Sequence, residues 1–175
     1  MSHLIEVVFE DVFVDSLGTL IKELCKAGKQ ITNYSLSADW EIEEEIDWQS
    51  AESITQCLKK YTNGWSFFIN LSELNILKHL SIKNCSIQVL QYDSKYDVNI
   101  NFKWEDIRLR DSTDFVENLM KFSRKMAFKY GIMHYFAGLE PACDEETRLF
   151  THGRRGPLNL PYPSWEAETL VSQVG

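Results

Sequence analysis

The densest concentration of reactive side chains runs from Gly138 to Gly156. It holds Cys143, His152, the carboxylates Glu140, Asp144, Glu145 and Glu146, and the arginines Arg148, Arg154 and Arg155. A Cys143–His152 pair would be a nucleophile and its base, because a neighbouring imidazole lowers a thiol's pKa and generates thiolate. Nothing in the spacing specifies that pair, and no helix start follows Cys143. The plainer reading is a surface loop in which Asp144 and Glu145 cap a short turn and Arg148 pairs with a carboxylate. Metal chemistry has no better support. His134, Glu140, Asp144 and His152 lack the short His-x-x-x-His or Cys-x-x-Cys spacing of a preorganised site, and His134, inside an apolar run, reads as a hydrogen-bonded core histidine. Gly153-Arg-Arg-Gly156 could cradle an anion but lacks P-loop spacing. Neither Gly-x-Ser-x-Gly nor Gly-x-Gly-x-x-Gly occurs. The sequence specifies no catalytic, cofactor or metal site.

The second concentration is acidic. Between Gln30 and Leu58 there is no Lys or Arg, while Asp39, Glu41, Glu43, Glu44, Glu45, Asp47 and Glu52 contribute -7 of a net charge of -8. The rest of the chain therefore carries only -1. Within this stretch Trp40, Ile42, Ile46 and Trp48 alternate with Glu41, Glu43, Glu45 and Asp47, the period of a strand. A helix competes, because Ile42 and Ile46 are four apart and Glu favours helices; the alternating tryptophans and isoleucines favour the strand. Glu44 breaks the apolar face, as an inward-pointing charge or a bulge. On a strand, residues two apart lie roughly 6.6 Å from each other, inside a Debye length of about 8 Å. Such a ladder of like charge repels itself, and a basic partner would relieve it.

The elements that position these residues read as alternating strands and helices. His3–Phe9 is a strand. A helix capped by Asp15 and Ser16, with Leu17, Leu20, Ile21, Leu24 and Cys25 on one face, runs to Gly28. Gln30–Leu36 and the acidic segment are the next strands. Ser50 caps a helix with Ala51, Ile54, Cys57, Leu58 and Tyr61 inward, and Trp65–Leu71 is a buried strand. That β-α-β-β-α-β order is ferredoxin-like. Ser72–His79 reads as a connection, and Leu80–Leu90 with Tyr96–Trp104 as a hairpin. Ser112–Gly131 reads as a long helix, with Asp111, Ser112 and Thr113 as candidate caps and Gly131 as its stop; the strand Ile132–Ala137 follows. The fold class is α+β: a mainly antiparallel sheet with helices packed on one face. Residues 1–152 form a single domain, and the Gly- and Pro-rich 153–175 an irregular tail.

Composition narrows the function further. Hydrophobic residues at 44% with aromatics at 13% describe an ordered globular chain. The acidic start, with Glu6, Glu10 and Asp11, reads as a strand and not a signal peptide, and no apolar run is long enough to span a bilayer. Cys25, Cys57, Cys85 and Cys143 are widely spaced, which fits unpaired thiols in the cytoplasm. An acidic face repels phosphate, so nucleic acid is an unfit partner there.

A small acidic α+β chain without catalytic motifs resembles the bacterial immunity proteins of toxin–immunity pairs. The run Tyr135-Phe136-Ala137-Gly138-Leu139-Glu140-Pro141, continuing to Asp144-Glu145-Glu146-Thr147-Arg148, is similar to C-terminal segments of such proteins. The resemblance implies a protein that binds a cognate toxin and blocks its active site, with no chemistry of its own. The reading of the whole is a non-enzymatic binder that presents Trp40, Glu41, Glu43, Glu45, Asp47 and Trp48 to a basic protein, the carboxylates steering and the aromatics anchoring. No cofactor is implied. The alternatives are an enzyme using residues 134–155, which a deep pocket lined by Glu140, Cys143 and His152 would favour, and an adaptor using a free sheet edge.

Overall fold

A computed structural model describes residues 4–37, 40–77, 80–109 and 114–158, without the side chains of Trp40, Glu41 and Leu109. Ten strands form one sheet: β1 (Leu4–Val12), β2 (Ile31–Leu36), β3 (Trp40–Glu41), β4 (Phe67–Leu77), β5 (Leu80–Tyr92), β6 (Lys95–Lys103), β7 (Ile107–Leu109), β8 (His134–Gly138), β9 (Arg148–Thr151) and β10 (Arg154–Arg155). The helices are α1 (Val14–Leu24), α2 (Ala51–Tyr61) and α3 (Phe115–Tyr130). The spatial order is β10-β9-β8-β1-β6-β5-β4-β2-β3, with β7 also on β5. The paired strands run antiparallel. The fold is α+β.

The first six elements follow β-α-β-β-α-β, but their pairing is not that of the ferredoxin-like fold. There β1 and β4 would be neighbours; here β6 and β5 lie between them. The reason is the long hairpin β5–β6, paired from Ser86↔Asn101 to Tyr92↔Lys95, which fills the sheet's centre. Its alternation is clean. Ile87, Val89, Val98 and Ile100 are buried on one face, while Ser86, Gln88, Asn99 and Asn101 are half-buried on the other. One face takes the core and the other meets water.

Residues 72–77, expected as a connection, continue β4. Leu74 and Ile76 are buried, and Glu73 pairs across the ladder with Lys83, Nζ to carboxylate 3.3 Å. The polar residues between them point to the wet face, so a segment that looks loop-like by composition is a strand by alternation.

The helices form as their apolar spacing requires. In α3, Phe115, Val116, Leu119, Met120, Met126, Ala127 and Tyr130 are buried. Asp114 caps it, its carboxylate accepting from the Glu117 amide at 3.1 Å, and Gly131 closes it at φ 67. The expected caps Asp111, Ser112 and Thr113 lie outside the described residues. Ser50 caps α2 through the Ser53 amide. Helix α1 begins one residue before Asp15, after Phe13, with no side-chain cap; Asp15 therefore sits in the first turn, where it favours the helix dipole instead of capping. Gly18 lets α1 close on α2, since a Cβ there would run into the Ala51 carbonyl and the Thr55 hydroxyl.

Regular structure continues a few residues beyond 152. Strand β10 pairs with β9, and the Leu158 amide donates to the Arg148 carbonyl at 2.8 Å.

Candidate partner-binding site

The acidic stretch leaves the sheet after two residues. Strand β3 pairs with β2 only through Leu36↔Trp40 and Ser35↔Glu41, and residues 42–49 then run unpaired to α2. This corrects the expected strand through Trp48 and its ladder of Glu41, Glu43, Glu45 and Asp47. The alternation is nevertheless genuine. Ile42, Ile46 and Trp48 pack against the core, while Glu43, Glu44, Glu45 and Asp47 are exposed. Period two here describes an extended chain with one dry side, not a hydrogen-bonded ladder.

Three contacts fix this extended chain. The Tyr34 hydroxyl donates to the Glu44 carbonyl at 2.8 Å, in place of a ladder bond. The Trp48 ring meets Tyr34 edge-on, centroids 5.3 Å apart. The backbone at Gly28 lies directly under Trp48: at φ +90 only glycine is comfortable, and a Cβ there would come within 2.7 Å of the Trp48 Cβ. Trp48 is thus half-buried and holds the segment down. It is not the exposed anchor expected from sequence. The backbone of Trp40 and Glu41 is in β3, and their side chains lie outside the described residues.

The Glu44 side chain is neither inward nor at a bulge. Its carboxylate accepts from the Tyr61 hydroxyl at 2.6 Å and the Lys60 ammonium at 3.1 Å. The tyrosine hydrogen bond first, and then Lys60, hold its pKa below the usual carboxylate range. Helix α2 is thereby drawn alongside the acidic chain, and the two enclose a cleft of about 550 Å³ lined by Glu44, Glu45, Ile46, Asp47, Glu52, Ser53, Gln56, Cys57 and Lys60. Among the described residues, four carboxylates share the cleft with one ammonium, which Glu44 already holds. Cys57 contributes no reactive thiolate: burial pushes its pKa up to about 11.

Helix α2's share of the cleft was missed in the sequence, although the signal is there. Glu52, Gln56 and Lys60 recur every four residues on α2, beside its apolar face of Ile54, Cys57 and Leu58, and so form one polar ridge.

The reactive residues of 134–156 are not assembled for chemistry. Cys143 is exposed in the turn after Pro141. The His152 ring packs instead on His134 and Tyr135, at 5.2 and 5.9 Å between centroids. His134 is exposed at the start of β8 and not a core histidine. Among the described residues no group of three His, Cys, Asp or Glu is placed to hold a metal ion. Asp144 caps a short 3-10 turn by accepting from the Glu146 amide. The Arg148 guanidinium, expected on a carboxylate, lies 4.0 Å over the Phe136 ring and donates to the Pro141 carbonyl at 2.8 Å. The run from Tyr135 to Arg148 is a braced β8–turn–β9 hairpin. Strand β9 within it buries Leu149 and Phe150.

Comparison with known proteins agrees with a binding role. A family model described as the PABL017 Cdi1I immunity protein matches residues 3–154. The chain belongs to that immunity protein family. A chain of the 1.75 Å crystal structure of the toxic C-terminal tip of CdiA from Pseudomonas aeruginosa, in complex with its immune protein, is similar in fold: TM-score 0.69 and 26% identity, covering 91% of this chain and 100% of that one. Among curated proteins none matches. An immunity protein neutralises a toxin by binding it, and this one has a protein partner and no reaction of its own. No helix among the described residues is long and apolar enough to cross a membrane.

Proposed function

We propose that this immunity protein neutralises a toxin tip of the CdiA kind by receiving a basic surface of the toxin in the cleft between residues 42–49 and α2. The observation that carries this reading is the charge of that cleft. Glu44, Glu45, Asp47 and Glu52 line one space whose one cation among the described residues, Lys60, is paired, and Glu43 stands exposed in the same segment. Like charges so close repel in the free protein, and lysines or arginines of a partner would turn that repulsion into attraction. Trp40 and Glu41 are assigned to the toxin-binding surface only by their backbone position in β3, at the sheet edge. Trp48 serves it indirectly, by pinning the acidic chain. The fold neighbour comes from a toxin–immune protein complex, which supports a toxin as the partner. The buried thiols Cys25, Cys57 and Cys85 support an encounter in the reducing cytoplasm.

The test is association kinetics with the cognate toxin tip. Replacing Glu45, Asp47 and Glu52 by Gln, Asn and Gln should slow association about tenfold or more at low salt, because rim charges act mainly on the on-rate. The loss should shrink as salt is raised. An unchanged on-rate would remove the cleft from the mechanism.

A further inference from the structure

The outer face of α3 is the chemical opposite of the cleft. Lys121, Arg124, Lys125 and Lys129 are exposed, and Phe128, among them, is 91% exposed. Positions 121, 124, 125 and 128 follow the i, i+3, i+4, i+7 rule and so form one stripe. Lys129 is tied to Glu23. Lys121, Arg124 and Lys125 have no ion-pair partner among the described residues. A phenyl ring standing in water between cations is the composition of a binding anchor, since aromatic and arginine side chains dominate interface energies.

The stripe would repel a basic toxin surface. The surface described above that fits it is the chain's own cleft, where Ile46 and Cys57 lie among Glu44, Glu45, Asp47 and Glu52. The ring of Phe128 would meet Ile46 and Cys57, and the flanking cations would meet the carboxylates. The two surfaces do not meet within one molecule: Phe128 stands in water, and none of the ion pairs among the described residues joins Lys121, Arg124 or Lys125 to an acid of the cleft. Resting on the same reading of the cleft, we infer that toxin-free copies of this chain associate head to tail, the α3 stripe of one molecule docking in the acidic cleft of the next. The contact is heterologous, so the assembly always keeps one free stripe at one end and one free cleft at the other, and it grows with concentration. Toxin competes for the cleft and disperses the assembly into one-to-one complexes.

Sedimentation velocity on the full chain tests this. At about 0.01 M salt, where the Debye length is about 30 Å, the mass should rise with protein concentration; at about 1 M, where it is about 3 Å, monomer should return. Lys121→Glu with Lys125→Glu disables the stripe, and Glu45→Gln with Asp47→Asn disables the cleft without making it attractive to the reversed stripe; each double variant alone should be monomeric. Mixed in equal amounts they retain one live stripe and one live cleft between them, so association should stop at the dimer. Phe128→Ser should weaken self-association about tenfold, the effect of losing a modest anchor. Wild-type protein that stays monomeric at low salt, or association that survives either double variant, would overturn the inference. Normal toxin binding by the cleft variant would count against the proposed toxin site alone, because the mass measurements decide self-association separately.

Discussion

Replacing Trp48 by Ala separates a structural tryptophan from a recognition one. Its ring is half-buried, set edge-on to Tyr34 at 5.3 Å and seated over Gly28. Truncating a fully buried aromatic costs about 3–5 kcal/mol. Partial burial reduces the transfer part, and the lost aromatic pair contributes about 0.5–1.5 kcal/mol, so a destabilisation of about 2 kcal/mol is expected. In a domain of this size that lowers Tm by about 4–8 °C. Trp48→Phe, which keeps a ring against Tyr34, should retain most of it. Urea unfolding followed by far-ultraviolet circular dichroism, together with toxin binding under native conditions, provides the assay. Toxin affinity should fall because residues 43–47 lose their anchor, and the loss should be of similar size for Tyr34→Ala, which also removes the hydrogen bond to the Glu44 carbonyl. A variant with wild-type stability and strongly reduced affinity would refute the reasoning and return Trp48 to the role of a direct contact.

Leu119, fully buried on α3, should cost about 2–5 kcal/mol when changed to Ala, measured by denaturant unfolding. Gly18→Val should destabilise by at least about 1–3 kcal/mol, because the added carbons force α1 off α2. Glu6 has its pKa raised by burial first and by Glu140 second; the folded state therefore binds its proton more readily than the unfolded one. Its contribution to stability is favourable near and below 4.5 and falls as pH rises through the higher folded value. Glu6→Gln should accordingly raise Tm at pH 7, with the gain vanishing below about pH 4. Native alkylation followed by mass spectrometry should label Cys143 first. Cys25, Cys57 and Cys85 should react only after unfolding, since all three are buried and burial pushes Cys85 up to about 12.

Where local chemistry and tertiary demand coincide, the fold is legible from sequence. The stripe of α3, the stop at Gly131, the Ser50 cap and the alternation of β6 all appear as read, because each is a short-range pattern with its own physical cause. Three features escaped for a common reason. Strand β9 is only Arg148 to Thr151, and two apolar residues in a charged loop carry no periodicity; its partner β8 makes it a strand. Residues 72–77 look polar because every second side chain faces water. The acidic segment has the pattern of a strand, yet Tyr34, Gly28 and α2 capture it where β2 would otherwise pair. The charge of the site could be counted directly, and the cleft could not. Its second wall is α2, and that contact depends on Glu44 meeting Lys60 and Tyr61, sixteen and seventeen residues away.

Carboxyl footprinting of the toxin complex tests the central claim most directly, since every exposed acid reports its own accessibility. Amidation with glycine ethyl ester, read by mass spectrometry, should show Glu43, Glu45, Asp47 and Glu52 modified in the free protein and protected when toxin is bound. Acids remote from the cleft, such as Glu105 and Glu140, should be modified equally in both states. Unprotected cleft carboxylates in a saturated complex, with protection appearing elsewhere, would contradict the account.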